Sequence, residues 1–145
     1  MRPMLIGGAC MVLTLVAAVP SFAPPPSDLC PPFGTEEAWE KSCEALGQLF
    51  DARKLREYRI YVLPETVAGG YVVEVPYAKP LSGPDAESWL FFVDEIPPAN
   101  WGHPCRLVFV TTDAYETAQY ECQFPPDNFG EFLDVTEKVL AFLRE

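Results

Sequence analysis

The residues of this chain that could do chemistry gather in one short stretch, residues 88–110, which holds two of the three Trp, the only His and one of the five Cys. Asp94 and Glu95 end a strand-like run, and His103 follows nine and eight positions later. A carboxylate that meets an imidazole fixes its tautomer and can orient it as a general base. His103, Asp94 and Glu95 are therefore the candidate catalytic residues, for a small hydrolase-like enzyme. Such an enzyme also needs a nucleophile, a metal or a second acid, and the sequence has no GxSxG, HExxH or phosphate-binding loop. The plainer expectation is that His103 and Asp94 satisfy each other, or nearby backbone, at a corner between strands.

The loop over residues 95–104 also reads as a recognition surface. Trp101 stands beside Gly102, and a large flat side chain next to flexible backbone suits a contact anchor. Trp101, Asn100, His103 and Arg106 are the candidate binding residues. The competing expectation makes Trp101 a plug at the sheet end. Arg106 points away from the apolar face and is expected to pair with Asp94 or Glu95.

Residues 4–19 carry no charge and follow Arg2, and small residues follow at Ala18 and Ala23. This predicts a secretory signal peptide over residues 1–23, cleaved after Ala23 or Ala18 or retained as an anchor. The apolar run falls short of the roughly 20 residues of a spanning helix. Localisation is expected to be secreted or periplasmic. The net charge of −11 becomes −12 when the segment leaves with its one cation. That repels phosphate backbones and anionic headgroups, so nucleic acid and membrane surfaces are excluded as partners, leaving an unknown protein or small ligand.

Four cysteines remain after Cys10 departs: Cys30, Cys43, Cys105 and Cys122. An even count in a small exported domain predicts two disulfides. With His103 alone and no CxxC pair, no metal or other cofactor is expected.

The elements that must position these groups follow in order. Six Pro between residues 20 and 32 predict an extended leader over residues 24–34, on the surface and attached only through Cys30. Thr35 caps a helix over residues 36–55, with Trp39, Cys43, Leu46 and Phe50 on one face. Strands are expected at 58–63 and 71–75, joined by a turn-rich link compatible with a hairpin, then at 89–93, 105–110 and 118–124. Residues 89–93 are apolar on both faces, as a central strand requires. A turn centred on Asp113 and Ala114 pairs 105 with 122, 107 with 120 and 109 with 118. That register sets Cys105 opposite Cys122 and predicts their disulfide, leaving Cys30 to Cys43, worth about 3 kcal/mol on loop entropy. Asn128 and Glu131 resemble the cap of a final helix that presents Phe132, Val135, Val139 and Phe142.

Residues 87–110 carry Trp89-Leu90-Phe91-Phe92-Val93-Asp94, then Pro98, then Trp101-Gly102-His103-Pro104-Cys105-Arg106 and Val108-Phe109-Val110. In order and spacing this resembles a segment of the N-terminal, propeptide-like regions of larger exported bacterial proteins. The present chain ends where those proteins continue. The resemblance implies an exported, non-catalytic module.

The sequence thus predicts one α+β domain over residues 35–145: an N-terminal helix, an antiparallel sheet of about five strands, a C-terminal helix and two disulfides. The helices cover one face of the sheet and part of the other stays open as a shallow groove. The expected function is a disulfide-stabilised binding module, inhibitor-like or pro-region-like, with the His103 hydrolase as the alternative.

Overall fold

Residues 33–144 are described by a computed structural model. The expected signal peptide, Cys10, Cys30 and all but the last two residues of the expected leader lie outside them. In chain order the elements are α1 (Glu36–Leu49), α2 (Ala52–Leu55), β1 (Arg59–Val62), β2 (Val72–Val73), β3 (Leu81–Ser82), β4 (Ser88–Asp94), β5 (Cys105–Thr111), β6 (Thr117–Cys122), β7 (Leu133–Asp134) and α3 (Thr136–Arg144). Five strands form one antiparallel sheet in the order β6-β5-β4-β1-β7, and β2 and β3 form a separate ribbon.

β4 lies in the middle because its side chains are apolar on both faces. Trp89, Phe91 and Val93 enter the core beneath the helices, while Leu90 and Phe92 enter a second core on the opposite face. α1 and α3 cover the first face with Leu46, Val139 and Leu140. The opposite face is not an open groove: Val73, Val75 and Leu81 of the ribbon region, with Leu63, Val67 and Phe132, close over it. The ribbon lies so near that a Cβ on Gly83 would stand 2.6 Å from the Phe109 ring. The Tyr120 hydroxyl ties it down by donating to Ser82 O at 2.7 Å.

Thr35 caps α1 as expected, its Oγ1 accepting from Ala38 N–H at 3.1 Å. The helix does not run to residue 55. Phe50 turns extended and buries its ring, and Asp51 starts α2 by accepting from Arg53 N–H at 2.9 Å, so a capping side chain overrides continued periodicity. The leader does not lie wholly on the surface, because Phe33 is buried, stacked on Trp89 at 5.1 Å and edge-on to Trp39 at 5.1 Å.

The expected pairing of residues 58–63 with 71–75 does not form. After β1 the chain stays beside β4, with Leu63 N–H on Leu90 O and Val67 bridged to Ser88. It then leaves the sheet to build the ribbon, and the vacant edge of β1 is taken by β7. The expected final helix is also divided. Asn128 makes no side-chain cap; residues Phe129–Glu131 form a 3-10 turn and β7 follows. That strand carries the chain past the sheet edge, so Phe132 packs on the ribbon side while Val135 and Val139 pack under the helices. α3 then begins at Thr136, with Asp134 Oδ1 accepting from its N–H at 2.9 Å.

The hairpin of β5 and β6 has the expected register, Cys105 opposite Cys122, Leu107 opposite Tyr120 and Phe109 opposite Ala118. The disulfide does not follow. The two Sγ atoms stand 3.5 Å apart as thiols in hydrogen-bond contact, against about 2.05 Å for a bond. Thr111 N–H donates to Glu116 O, and rungs of an antiparallel ladder alternate in kind, so every second rung down to Cys105–Cys122 is of the hydrogen-bonded type. Side chains on those rungs stand farther apart than on the alternate ones. Cys43 is fully buried on α1, and its expected pairing with Cys30 reaches outside the described residues.

Candidate functional site

The corner between β4 and β5 is built from its base outward. Glu95 N–H donates to Pro104 O at 3.3 Å and closes the loop where the strands part. Asp94 Oδ1 accepts from Ile96 N–H at 3.0 Å, and Ala99 N–H donates to Ile96 O at 2.9 Å, which turns the chain through Pro97 and Pro98. His103 N–H crosses to Gln123 O at 3.0 Å and fastens the far limb to the end of β6.

The imidazole of His103 locks this frame. Its Nε2 lies 2.7 Å from Asp94 Oδ1 and its Nδ1 lies 2.6 Å from the carbonyl of Trp101. Both partners accept, so both ring nitrogens must carry hydrogen, which describes an imidazolium. The ring is only 9 % exposed. Burial opposes its charge, but the Trp101 carbonyl and the Asp94 carboxylate outweigh burial and hold its pKa above the ordinary value. An imidazole with both nitrogens donating has no lone pair to offer a substrate. Asp94 and His103 do meet, as the sequence suggested.

Glu95 takes a different partner. Its Oε1 stands 3.0 Å from Arg106 Nε, an ion pair in which the N–H is not aimed at the oxygen. The guanidinium also donates to Gln119 Oε1 at 3.2 Å and lies 5.1 Å over the Phe50 ring. Arg106 thereby links the sheet to the end of α1.

Trp101 has the opposite character. It is 69 % exposed, so it does not plug the sheet, and the carbonyl of this same residue is the one His103 grips. Asn100 beside it is exposed. Gly102 lets the chain lie flat on Phe124, whose ring would stand 2.8 Å from any Cβ there. Phe124 is in turn 5.3 Å from the ring of Tyr77, which is 94 % exposed on a residue with φ of 59°. Left-handed backbone is costly for a bulky residue, and such strain gathers at functional surfaces. Tyr77 escaped the sequence reading because nothing in residues 76–80 marks a left-handed Tyr; only the flanking Pro76 and Pro80 hinted at a constrained turn.

Beside the corner, Glu95, Pro104, Cys105, Glu121, Cys122 and Gln123 line a cleft of about 450 Å3. Among the described residues no three His, Cys, Asp or Glu side chains converge as a metal site. No protein-family model, curated protein or solved structure matches the chain.

Proposed function

We propose that this chain is an exported interaction module that grips a partner protein through the corner at residues 95–104, with Trp101 as its anchor. The exposure of Trp101 on a backbone clamped by His103 carries the reading. Desolvating a large aromatic is favourable, and presenting it from a fixed frame limits the ordering entropy of association. Asn100 offers polar contacts at the rim, while Phe124 and Tyr77 extend the aromatic surface. The acidic net charge favours a partner with a basic face. A signal peptide over residues 1–23 delivers the module outside the cytoplasm. There the Cys105–Cys122 rung supports the corner from below, as adjacent thiols or as a bonded pair.

The test is affinity capture from the exported fraction of the source cells, with the partner identified by crosslinking from position 101. Trp101→Ala should weaken capture by at least about 2 kcal/mol, roughly thirty-fold, while Leu133→Ala at the distant sheet edge leaves it unchanged. Equal capture by wild type and Trp101→Ala would sink the proposal.

A further inference from the structure

We infer that Cys105 and Cys122 form a thiol–disulfide exchange site, reached through the cleft beside the corner and selective for neutral or cationic disulfides. Three observations carry this, none of which involves Trp101. The cysteines occupy directly opposed rungs of β5 and β6. At a hydrogen-bonded rung the Cα atoms lie about 5.5 Å apart, inside the range a disulfide spans, so bond formation needs side-chain rotation and no strand movement. The sulfurs already stand 3.5 Å apart. Finally, the cleft of about 450 Å3 has both cysteines in its lining and is large enough for a short thiol-bearing segment.

The two sulfurs are not equivalent. Cys122 is 8 % exposed and Cys105 is 1 % exposed, so an oxidant meets Cys122 first. A hydrogen bond between the thiols holds the Cys122 pKa down against burial, while the same contact and burial push Cys105 up. The Cys122 thiolate attacks one sulfur of R–S–S–R, forming a mixed disulfide and releasing RS−, which takes a proton. Cys105 then loses its proton to solvent. Its thiolate attacks the Cys122 sulfur, closes the Cys105–Cys122 bond and expels the second RS−, which takes a proton from solvent. Two protein thiols are oxidised and one external disulfide becomes two thiols.

Charge selects the oxidant. Glu95 is neutralised by Arg106, but Glu121 at the cleft rim has no ion-pair partner among the described residues, and the whole chain is acidic. Anionic disulfides are repelled, and ionic strength weakens that repulsion.

The experiment uses the full chain, reduced and freed of reductant, given cystamine, hydroxyethyl disulfide or oxidised glutathione, with time-resolved peptide mapping. The expected result is a Cys105–Cys122 disulfide in the folded chain, preceded by an adduct on Cys122. Cystamine should react several-fold faster than glutathione, and the gap should narrow in high salt and in Glu121→Gln. Cys105→Ser should accumulate the Cys122 adduct; Cys122→Ser should leave residue 105 unmodified. If the folded wild type stays dithiol while the urea-unfolded chain oxidises, the site is overturned. A first adduct on Cys105, or glutathione reacting as fast as cystamine at low salt, also overturns it. Partner capture through Trp101 is a separate measurement and is unaffected by any of these outcomes.

Discussion

Asp94 and His103, nine positions apart, are joined at 2.7 Å, and the second nitrogen of the same ring holds the carbonyl of Trp101 at 2.6 Å. One imidazolium thus binds the end of β4 to the residue that projects from the corner. Around it lie Glu95 and Arg106, paired with each other, and Arg59, opposite Asp94 on β1. The frame is electrostatic as well as covalent in its connectivity, and it depends on a proton.

That proton makes the first prediction. Folding raises the His103 pKa, with burial opposing and the Trp101 carbonyl and Asp94 prevailing. A base raised by folding contributes stability that is complete below its unfolded pKa, about 6.5, and is lost as pH climbs through the folded value. The Tm difference between wild type and His103→Gln should therefore be largest in mild acid and shrink above neutrality. Asp94→Asn should move the His103 titration, followed by NMR, toward lower pH. A stability difference that grows with rising pH would show that the ring is neutral in the fold.

Gly83 gives a packing prediction. The ribbon crosses Phe109 so closely that a Cβ at Gly83 would meet three ring atoms between 2.6 and 2.9 Å. Gly83→Ala should cost about 1–3 kcal/mol through overpacking, measured by urea unfolding. Phe109→Leu should recover part of that loss in the double variant, because the clash is with the ring and not with backbone. Additive losses in the pair would place the strain elsewhere.

Much of the frame was legible in the residues themselves. The two-sided apolarity of β4 announced a central strand, and the alternation around Cys105 and Cys122 gave the register of β5 and β6 rung for rung. The cap at Thr35 and the acidic first turn gave the start of α1. What failed was non-local. Residues 71–75 carry β-forming side chains, but their partner was the chain around Leu81, ten residues on, and not β1. Residues 132–135 have the same apolar spacing whether helical or extended; the vacant edge of β1 decided in favour of a strand. The Asp94–His103 contact could be read from spacing. The Trp101 carbonyl on the other nitrogen could not, because backbone acceptors have no sequence signature.

Thr136 binds the helical layer to the sheet at that same edge. Its Oγ1 accepts from Ile60 N–H at 2.9 Å and lies 3.3 Å from Ile60 O and 2.6 Å from Asp134 Oδ1. The residue is almost fully buried. Thr136→Val keeps the shape and strands the Ile60 N–H without a partner, which should cost about 1–3 kcal/mol. Hydrogen exchange at Ile60 should accelerate relative to Val93 in the middle of the sheet. Unchanged protection at Ile60 would mean that β7 holds β1 without this hydroxyl.

Ser42 leads to the opposite sign. It is fully buried on α1, yet its Oγ has no hydrogen-bond partner among the described residues. A buried hydroxyl left unsatisfied carries a desolvation penalty of about 1–3 kcal/mol, and Ser is a weaker helix former than Ala by a few tenths. Removing the oxygen opens a space smaller than a methyl group, so little packing is lost in return. Ser42→Ala should raise stability by about 1 kcal/mol, read as a higher urea midpoint with an unchanged slope. Ser42→Val, which adds a methyl at a fully buried position, should instead destabilise. If Ser42→Ala lowers the midpoint, the hydroxyl has a partner in solution, and the layer between α1 and the sheet is wetter than its apolar lining indicates.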